Sequence, residues 1–285
     1  MFKTILVPLD GSAVAETAVG LVRQFADKGG TVILLRVLGG GRTAESQEEA
    51  LEYLRSVASS HSAASLKFVC QAEAGDPAAG ILNAAAEAEV DLIVLTTRGR
   101  SGLARTVLGS VADPLIRKAG VPVLAVPIRA LQEKAPPPEE WSRVVVPLDG
   151  SSLGERAIAQ GAGLARAFGA RLILARVVPP PHAPELEALR PEGARPPYTS
   201  ARAAADAQAY LKGVAASHRL SENEVDLTVL VGWTVASLAD LASGDGLLVM
   251  SGRGLGGFNR MVMGSVAGGL LHEARSPIVF VPLQG

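Results

Sequence analysis

The sequence predicts an α/β protein made of two tandem doubly wound domains, each with a five-stranded parallel sheet. Three observations carry that reading. Short apolar, β-branched runs alternate with stretches of helical spacing along the chain, and such alternation gives a parallel sheet with helices on both faces. The landmarks also recur: K-T-I-L-V-P-L-D-G-S at 3–12 returns as S-R-V-V-V-P-L-D-G-S at 142–151, and V-P-V-L-A-V-P at 121–127 returns as S-P-I-V-F-V-P at 276–282. Finally, the spacing Gly-x9-Gly-Ser occurs at 99–110 and again at 254–265, each time behind an apolar run.

In the first half, residues 4–9 read as a strand by their apolar run and β-branching. Residues 13–28 read as a helix, with Val14, Ala18, Leu21, Val22 and Phe25 at helical spacing. A strand at 31–38 follows, then a helix at 44–60 with glutamates opposite Leu51, Leu54 and Val57. Leu66 to Val69 is a short strand, 77–89 an alanine-rich helix, 91–96 a strand, 110–119 a helix and 122–126 the last strand. The second half repeats these landmarks in order. Leu34-Leu35-Arg36-Val37 maps to Leu174-Ala175-Arg176-Val177, and Gly109-Ser110 maps to Gly264-Ser265. The growing offset marks an insert near 179–200, with P-P-P-H-A-P and R-P-E-G-A-R-P-P, too rich in proline to be regular structure throughout. The domains are therefore placed at 1–130 and 142–285. They are joined at 131–141 by a linker that holds Q-E-K-A-P-P-P-E-E-W.

Bulk properties exclude several classes. The net charge of −1 argues against a nucleic-acid binder working through bulk positive charge. Apolar runs fall well short of the ~18 residues of a membrane span. Cys70 is the only cysteine, so no intrachain disulfide forms and a reducing compartment is expected. The start, Met-Phe-Lys-Thr-Ile-Leu-Val, runs into a strand without a signal-peptide pattern. Together these predict a cytoplasmic protein with no membrane or nucleic-acid partner.

Ligands of doubly wound sheets sit beyond the carboxyl ends of the strands, where strand order reverses. The loop after Leu92–Leu95 lies at such an end. Gly99 supplies backbone freedom for amides to converge on an anion. Gly109-Ser110 opens the next helix, whose first amides lack intrahelical partners. The Ser110 hydroxyl serves either phosphate or the helix as an N-cap. Asp10 and Asp149 end their first strands. Each either accepts a hydrogen bond from an exocyclic amine or ribose hydroxyl, or simply turns the chain ahead of a cap at Ser12 or Ser151.

V-P-L-D-G-S, the glycine loop after the fourth strand, Gly-Ser and V-P-V-L-A-V-P together resemble the universal stress protein family, twice over, as in its tandem-type members. The resemblance implies a Rossmann-like, adenine nucleotide alpha hydrolase-like fold, ATP as ligand and a role in stress response. ATP-binding members carry Gly-x2-Gly-x9-Gly-(Ser/Thr). Here the first glycine is replaced by Thr96 in one half and Ser251 in the other. By the resemblance, Asp10 and Val37 face adenine, Thr96, Gly99 and Arg100 the ribose and phosphates, and Gly109, Ser110 and Val111 the phosphates. Their counterparts are Asp149, Val177, Ser251, Gly254, Gly264, Ser265 and Val266. Arg98 and Arg253 stand ready to neutralise phosphate, with Mg arriving on the nucleotide. The family's last strand pairs across a dimer, so the two halves are expected to pair as a pseudo-dimer, with a homodimer and a protein partner of unknown kind beyond that.

Nucleotide is expected in the first half ahead of the second. The second loop has extra glycines at Gly252, Gly256 and Gly257 plus Phe258, and Gly232-Trp233-Thr234 stands where the first half has Gly75-Asp76-Pro77. The catalytic inventory is thin. No G-x-x-x-x-G-K-[ST] is present, and His61, His182, His218 and His272 sit in no motif. No His, Cys or carboxylate spacing suggests a metal of the protein's own. The reading is a binder rather than an enzyme, with at most slow ATP hydrolysis. The changes at Thr96 and Ser251 support an alternative, a scaffold of the same fold without nucleotide affinity. A third option, a ligase or flavoprotein, lacks its catalytic motif.

Overall fold

The computed structural model describes residues 1–39, 45–61, 65–97, 109–132, 140–180, 200–252 and 263–282. Strand β1 (Phe2–Pro8) pairs in parallel with β2 (Ala26–Leu38) on one side and β4 (Leu92–Thr96) on the other. β3 (Lys67–Ala74) lies outside β2, and β5 (Val123–Val126) pairs with β4. The second half repeats this with β6 (Arg143–Pro147), β7 (Arg171–Val178), β8 (Val225–Val231), β9 (Gly246–Ser251) and β10 (Ile278–Val281). All ten strands form one sheet in the order β3-β2-β1-β4-β5-β10-β9-β6-β7-β8. The two halves meet at β5 and β10, which pair antiparallel, Val279 opposite Leu124. The edge strand of each half thereby becomes interior, which removes two exposed ladders.

The apolar runs are continuous because the sheet is buried on both faces. Ile5, Val7, Leu92 and Val94 enter one core, and Leu6, Ile93 and Leu95 the other. Helices α1 (Ala13–Phe25), α2 (Gln47–Ser60) and, in the second half, α7 (Ala157–Phe168) supply side chains to the first core. α3 (Pro77–Glu87) and α4 (Ala112–Lys118) supply the second. Short helices α5 (Ile128–Gln132) and α6 (Ser152–Glu155) flank the junction and the second turn. α8 (Ser200–Ser217), α9 (Thr234–Leu241) and α10 (Ser265–Glu273) complete the chain.

Several boundaries differ from the sequence reading. The first helix ends at Phe25, not residue 28, and β2 begins at Ala26. Phe2 pairs with Ala26 but Thr4 with Thr31, so the intervening residues bulge. Gly29, at φ +78°, makes that bulge possible. Strand β3 runs to Ala74 rather than Val69, in register with β2 up to Leu38↔Ala74. An outermost strand tolerates Gln71 and Glu73, which had hidden its length. The fourth helix starts at Ala112 instead of 110, and α5 was not foreseen. The insert and most of the linker lie outside the described residues.

α2 starts at Gln47 rather than 44 because Ser46 and Glu49 form a capping box. Ser46 Oγ accepts from Glu49 N (3.1 Å), and Glu49 Oε2 accepts from Ser46 N (2.7 Å). Those bonds hold the Glu49 carboxyl below the ordinary carboxylate range. Ser46→Ala is expected to lower stability by about 1 kcal/mol, read as a shift in the denaturant midpoint.

Candidate functional site

Strand order reverses at β1, between β2 and β4, and again at β6, between β7 and β9. At the first reversal lies a cavity of about 400 Å³, within the ~300–1,000 Å³ typical of small-molecule sites. Asp10, Val37, Thr96, Gly109, Ser110 and Val111 all line it. Six positions spread over more than a hundred residues thus line one cavity.

Asp10 leaves β1 through Gly11, at φ +79°. Its Oδ1 accepts from Ser12 N (3.0 Å) and Ser12 Oγ (2.6 Å), while Ser12 Oγ accepts from Ala15 N and caps α1. The two readings of Asp10 are therefore compatible: one oxygen shapes the turn, and the residue still faces the cavity. Asp149 does the same, accepting from Ser151 N (2.9 Å) and Ser151 Oγ (2.6 Å), with Gly150 at φ +91°.

At the other side, Gly109 N donates to the Thr97 carbonyl (3.3 Å), holding the Gly-Ser turn against the exit of β4. A Cβ on Gly109 would sit 3.0 Å from that same oxygen. Gly264 N donates likewise to Gly252 O (3.1 Å). Neither serine caps its helix. The cap position of α4 is Val111 and that of α10 is Gly264, both without a side-chain cap bond. Ser110 and Ser265 are exposed, while Val111 and Val266 pack in part against the second core.

Thr96 and Ser251 are the last residues of β4 and β9. Among the described residues, only Glu89 and Arg219 are non-glycine positions with positive φ. A β-branched or hydroxyl side chain at either strand end therefore carries no strain from a positive φ. Gly99, Arg100 and Gly254, with Arg98 and Arg253, lie outside the described residues.

Sequence reasoning missed a buried polar group beside the cavity. Arg36, 6% exposed, donates through Nη1 to Leu9 O (3.2 Å) and through Nε and Nη2 to Glu45 Oε2 (3.2 and 2.5 Å). Both Arg36 and Glu45 line the cavity. Nearby, Tyr53 Oη donates to Glu16 Oε1 (3.0 Å), tying α2 to α1. Burial, then that bond, pushes the Tyr53 hydroxyl above its ordinary range. Tyr210 and Glu155 repeat the pair at 2.8 Å. The signal was present as a repeated D-G-S-x-x-x-E at 10–16 and 149–155 and as the matched Arg36 and Arg176.

The remaining candidates offer no catalytic constellation among the described residues. His61 caps the end of α2 and His218 follows α8, exposed. Cys70 is half-buried, and burial raises its thiol pKa. Among the described residues no group of three potential metal ligands occurs, and no helix is long and apolar enough to cross a membrane.

Fold and site define a class: a tandem doubly wound α/β protein with a cavity at its first strand-order reversal. The chain belongs to the universal stress protein family, whose profile matches residues 1–127 and 140–282. A universal stress protein of Mycobacterium tuberculosis is 28% identical over 191 residues, covering 67% of this chain and 61% of that relative's length. One from Methanocaldococcus jannaschii is 32% identical over 140 residues, 44% of this chain and 82% of that protein. The crystal structure of a universal stress protein from Archaeoglobus fulgidus superposes with a TM-score of 0.65 at 20% identity, covering 98% and 96% of the two chains. That likeness establishes the fold.

Proposed function

We propose that the first half binds an adenine nucleotide, ATP by preference, and that the protein serves stress response through nucleotide-dependent conformation or partner binding. The observation that carries this is the cavity at the first reversal, with Asp10 and Val37 on one side and the Gly109-Ser110 turn on the other. The residues fit such a ligand. Gly109 leaves a gap against Thr97 O that a side chain would close. The Ser110 hydroxyl is not spent on a cap at the start of α4. Asp10 and Val37 would take the base, and Gly109, Ser110 and Val111 the phosphates, with Mg carried on the nucleotide. Hydrolysis is at most slow, since neither carboxylate of the described lining, Asp10 or Glu45, belongs to the Gly109–Val111 turn that would take the phosphates. Binding in the second half, through Asp149, Val177, Gly264, Ser265 and Val266, is the weaker of the two. The sheet junction is proposed to work as an intramolecular pseudo-dimer in the cytoplasm.

Isothermal titration with ATP tests this, alongside mass spectrometry of any ligand released from the purified protein. At least one adenine nucleotide per chain is expected. No binding at millimolar ATP would leave the scaffold reading in its place.

A further inference from the structure

We propose that Glu45 is a specificity-determining residue of the first cavity, accepting a hydrogen bond from an N–H or O–H donor on the ligand. The inference rests on the nucleotide reading above. Both bonds that Arg36 gives Glu45 go to Oε2, so Oε1 takes no hydrogen bond among the described residues. Glu45 is partly exposed (29%) where it lines the cavity, whereas Arg36 is buried beneath it (7%). The guanidinium is committed to Glu45 and to the Leu9 carbonyl. It therefore fixes the carboxylate instead of serving as a phosphate site.

Position and charge agree. Arg36 leaves from β2, and the Gly109 turn is bonded to the exit of β4. β2 and β4 flank β1, so their ends lie two strand spacings apart, about 10 Å. The exits of β1 and β2 carry the carboxylates of Asp10 and Glu45 against one guanidinium. A polyanionic tail is disfavoured there, and an amine or hydroxyl is welcome. The second half differs. Arg176, at the position of Arg36, lies over the Tyr210 ring at 4.6 Å, and its buried Nη1 has no hydrogen-bond partner among the described residues. A Cβ on Gly150 would come within 2.9 Å of that nitrogen. The matched arginine there packs against a ring and holds no carboxylate among the described residues.

The test measures binding of ATP, inosine triphosphate, and 2′- and 3′-deoxyATP to the wild type, Glu45→Ala and Glu45→Gln. Wild type is expected to prefer ATP about tenfold over the analogue that lacks the recognised donor, an effect of one charged hydrogen bond. Inosine triphosphate as the weak ligand identifies the amine, and a deoxy analogue identifies the hydroxyl. Glu45→Ala should erase the preference while triphosphate binding persists. Glu45→Gln, which keeps an acceptor for Arg36, should shrink the preference and retain the fold. Unchanged ratios in both variants overturn the role of Glu45 while nucleotide binding stands. A wild type that binds none of the four removes both readings together.

Discussion

Gly109→Val should cut ATP affinity by at least about a hundredfold, roughly 2.8 kcal/mol, while the protein stays folded. The residue is not in the left-handed region, so the requirement for glycine is steric. Its would-be Cβ falls 3.0 Å from the Thr97 carbonyl oxygen and 3.9 Å from the carbonyl carbon, both backbone atoms at the end of β4. A side-chain tip could swing aside; the Thr97 carbonyl is main chain, in a residue whose own amide is held by Val126 O, and it yields less readily. Valine adds two further methyl groups in the same space, so the turn must move instead. Its movement breaks the Gly109 N to Thr97 O bond and carries the Ser110 and Val111 amides off the cavity wall. Overpacking at a half-buried turn costs about 1–3 kcal/mol of stability, less than a domain of this size can lose. Titration calorimetry with ATP and a thermal melt separate the two effects. Gly109→Ala is expected to fall between wild type and valine. Wild-type affinity in Gly109→Val would place the phosphates elsewhere.

The same geometry shows what a sequence can and cannot disclose. The repeat, the alternating elements and the two reversals were legible because apolar periodicity and the D-G-S and Gly-Ser landmarks are local patterns. Strand β3 was cut short because its outer position lets polar residues into the ladder, and nothing local marks a strand as outermost. The helix ending at Phe25 looked longer because Asp27 and Lys28 fit a helical turn, yet pairing with β1 and the bulge at Gly29 prevailed. Asp10 and the Gly109 turn could be placed at one edge from topology, whereas Val37 and Thr96 came from the family resemblance. Arg36 and Glu45 came from neither. They lie nine residues apart with no shared pattern, and an arginine inside a strand reads as surface until burial is known. The role of Trp141 was hidden for a similar reason: it closes a proline-rich linker, where aromatic residues carry no periodic signal.

Trp141→Ala should destabilise the protein by about 3–5 kcal/mol, the largest loss expected from any single truncation at the junction. Trp141 is 2% exposed and sits between two phenylalanines, its ring 6.1 Å from Phe25 and 6.3 Å from Phe168. Those two rings meet edge to face at 5.4 Å. Phe25 is the last residue of α1 and Phe168 the last of α7, so the cluster joins a helix of each half to the residues that lead into β6. Removing the indole leaves a cavity beside the Phe25–Phe168 pair and takes away one of the two rings on which each phenylalanine packs. Trp141→Phe should cost much less, under about 1.5 kcal/mol. It keeps a ring and also deletes the indole N–H, which is buried without a hydrogen-bond partner; a stranded donor of that kind costs about 1–3 kcal/mol. Trp233 supplies the control, because it is 78% exposed and its truncation should change stability by less than about 0.5 kcal/mol. These are the only two tryptophans in the chain, so Trp233→Phe leaves Trp141 as the sole indole reporter of the junction. Denaturant unfolding followed by its emission and by far-ultraviolet circular dichroism should give coincident transitions if the halves unfold together. In Trp141→Ala, circular dichroism should show a lower midpoint and a broader transition, because the halves then separate before either unfolds. A Trp141→Ala variant with the wild-type midpoint would mean that the β5–β10 ladder alone holds the halves together and that the aromatic cluster is incidental to it.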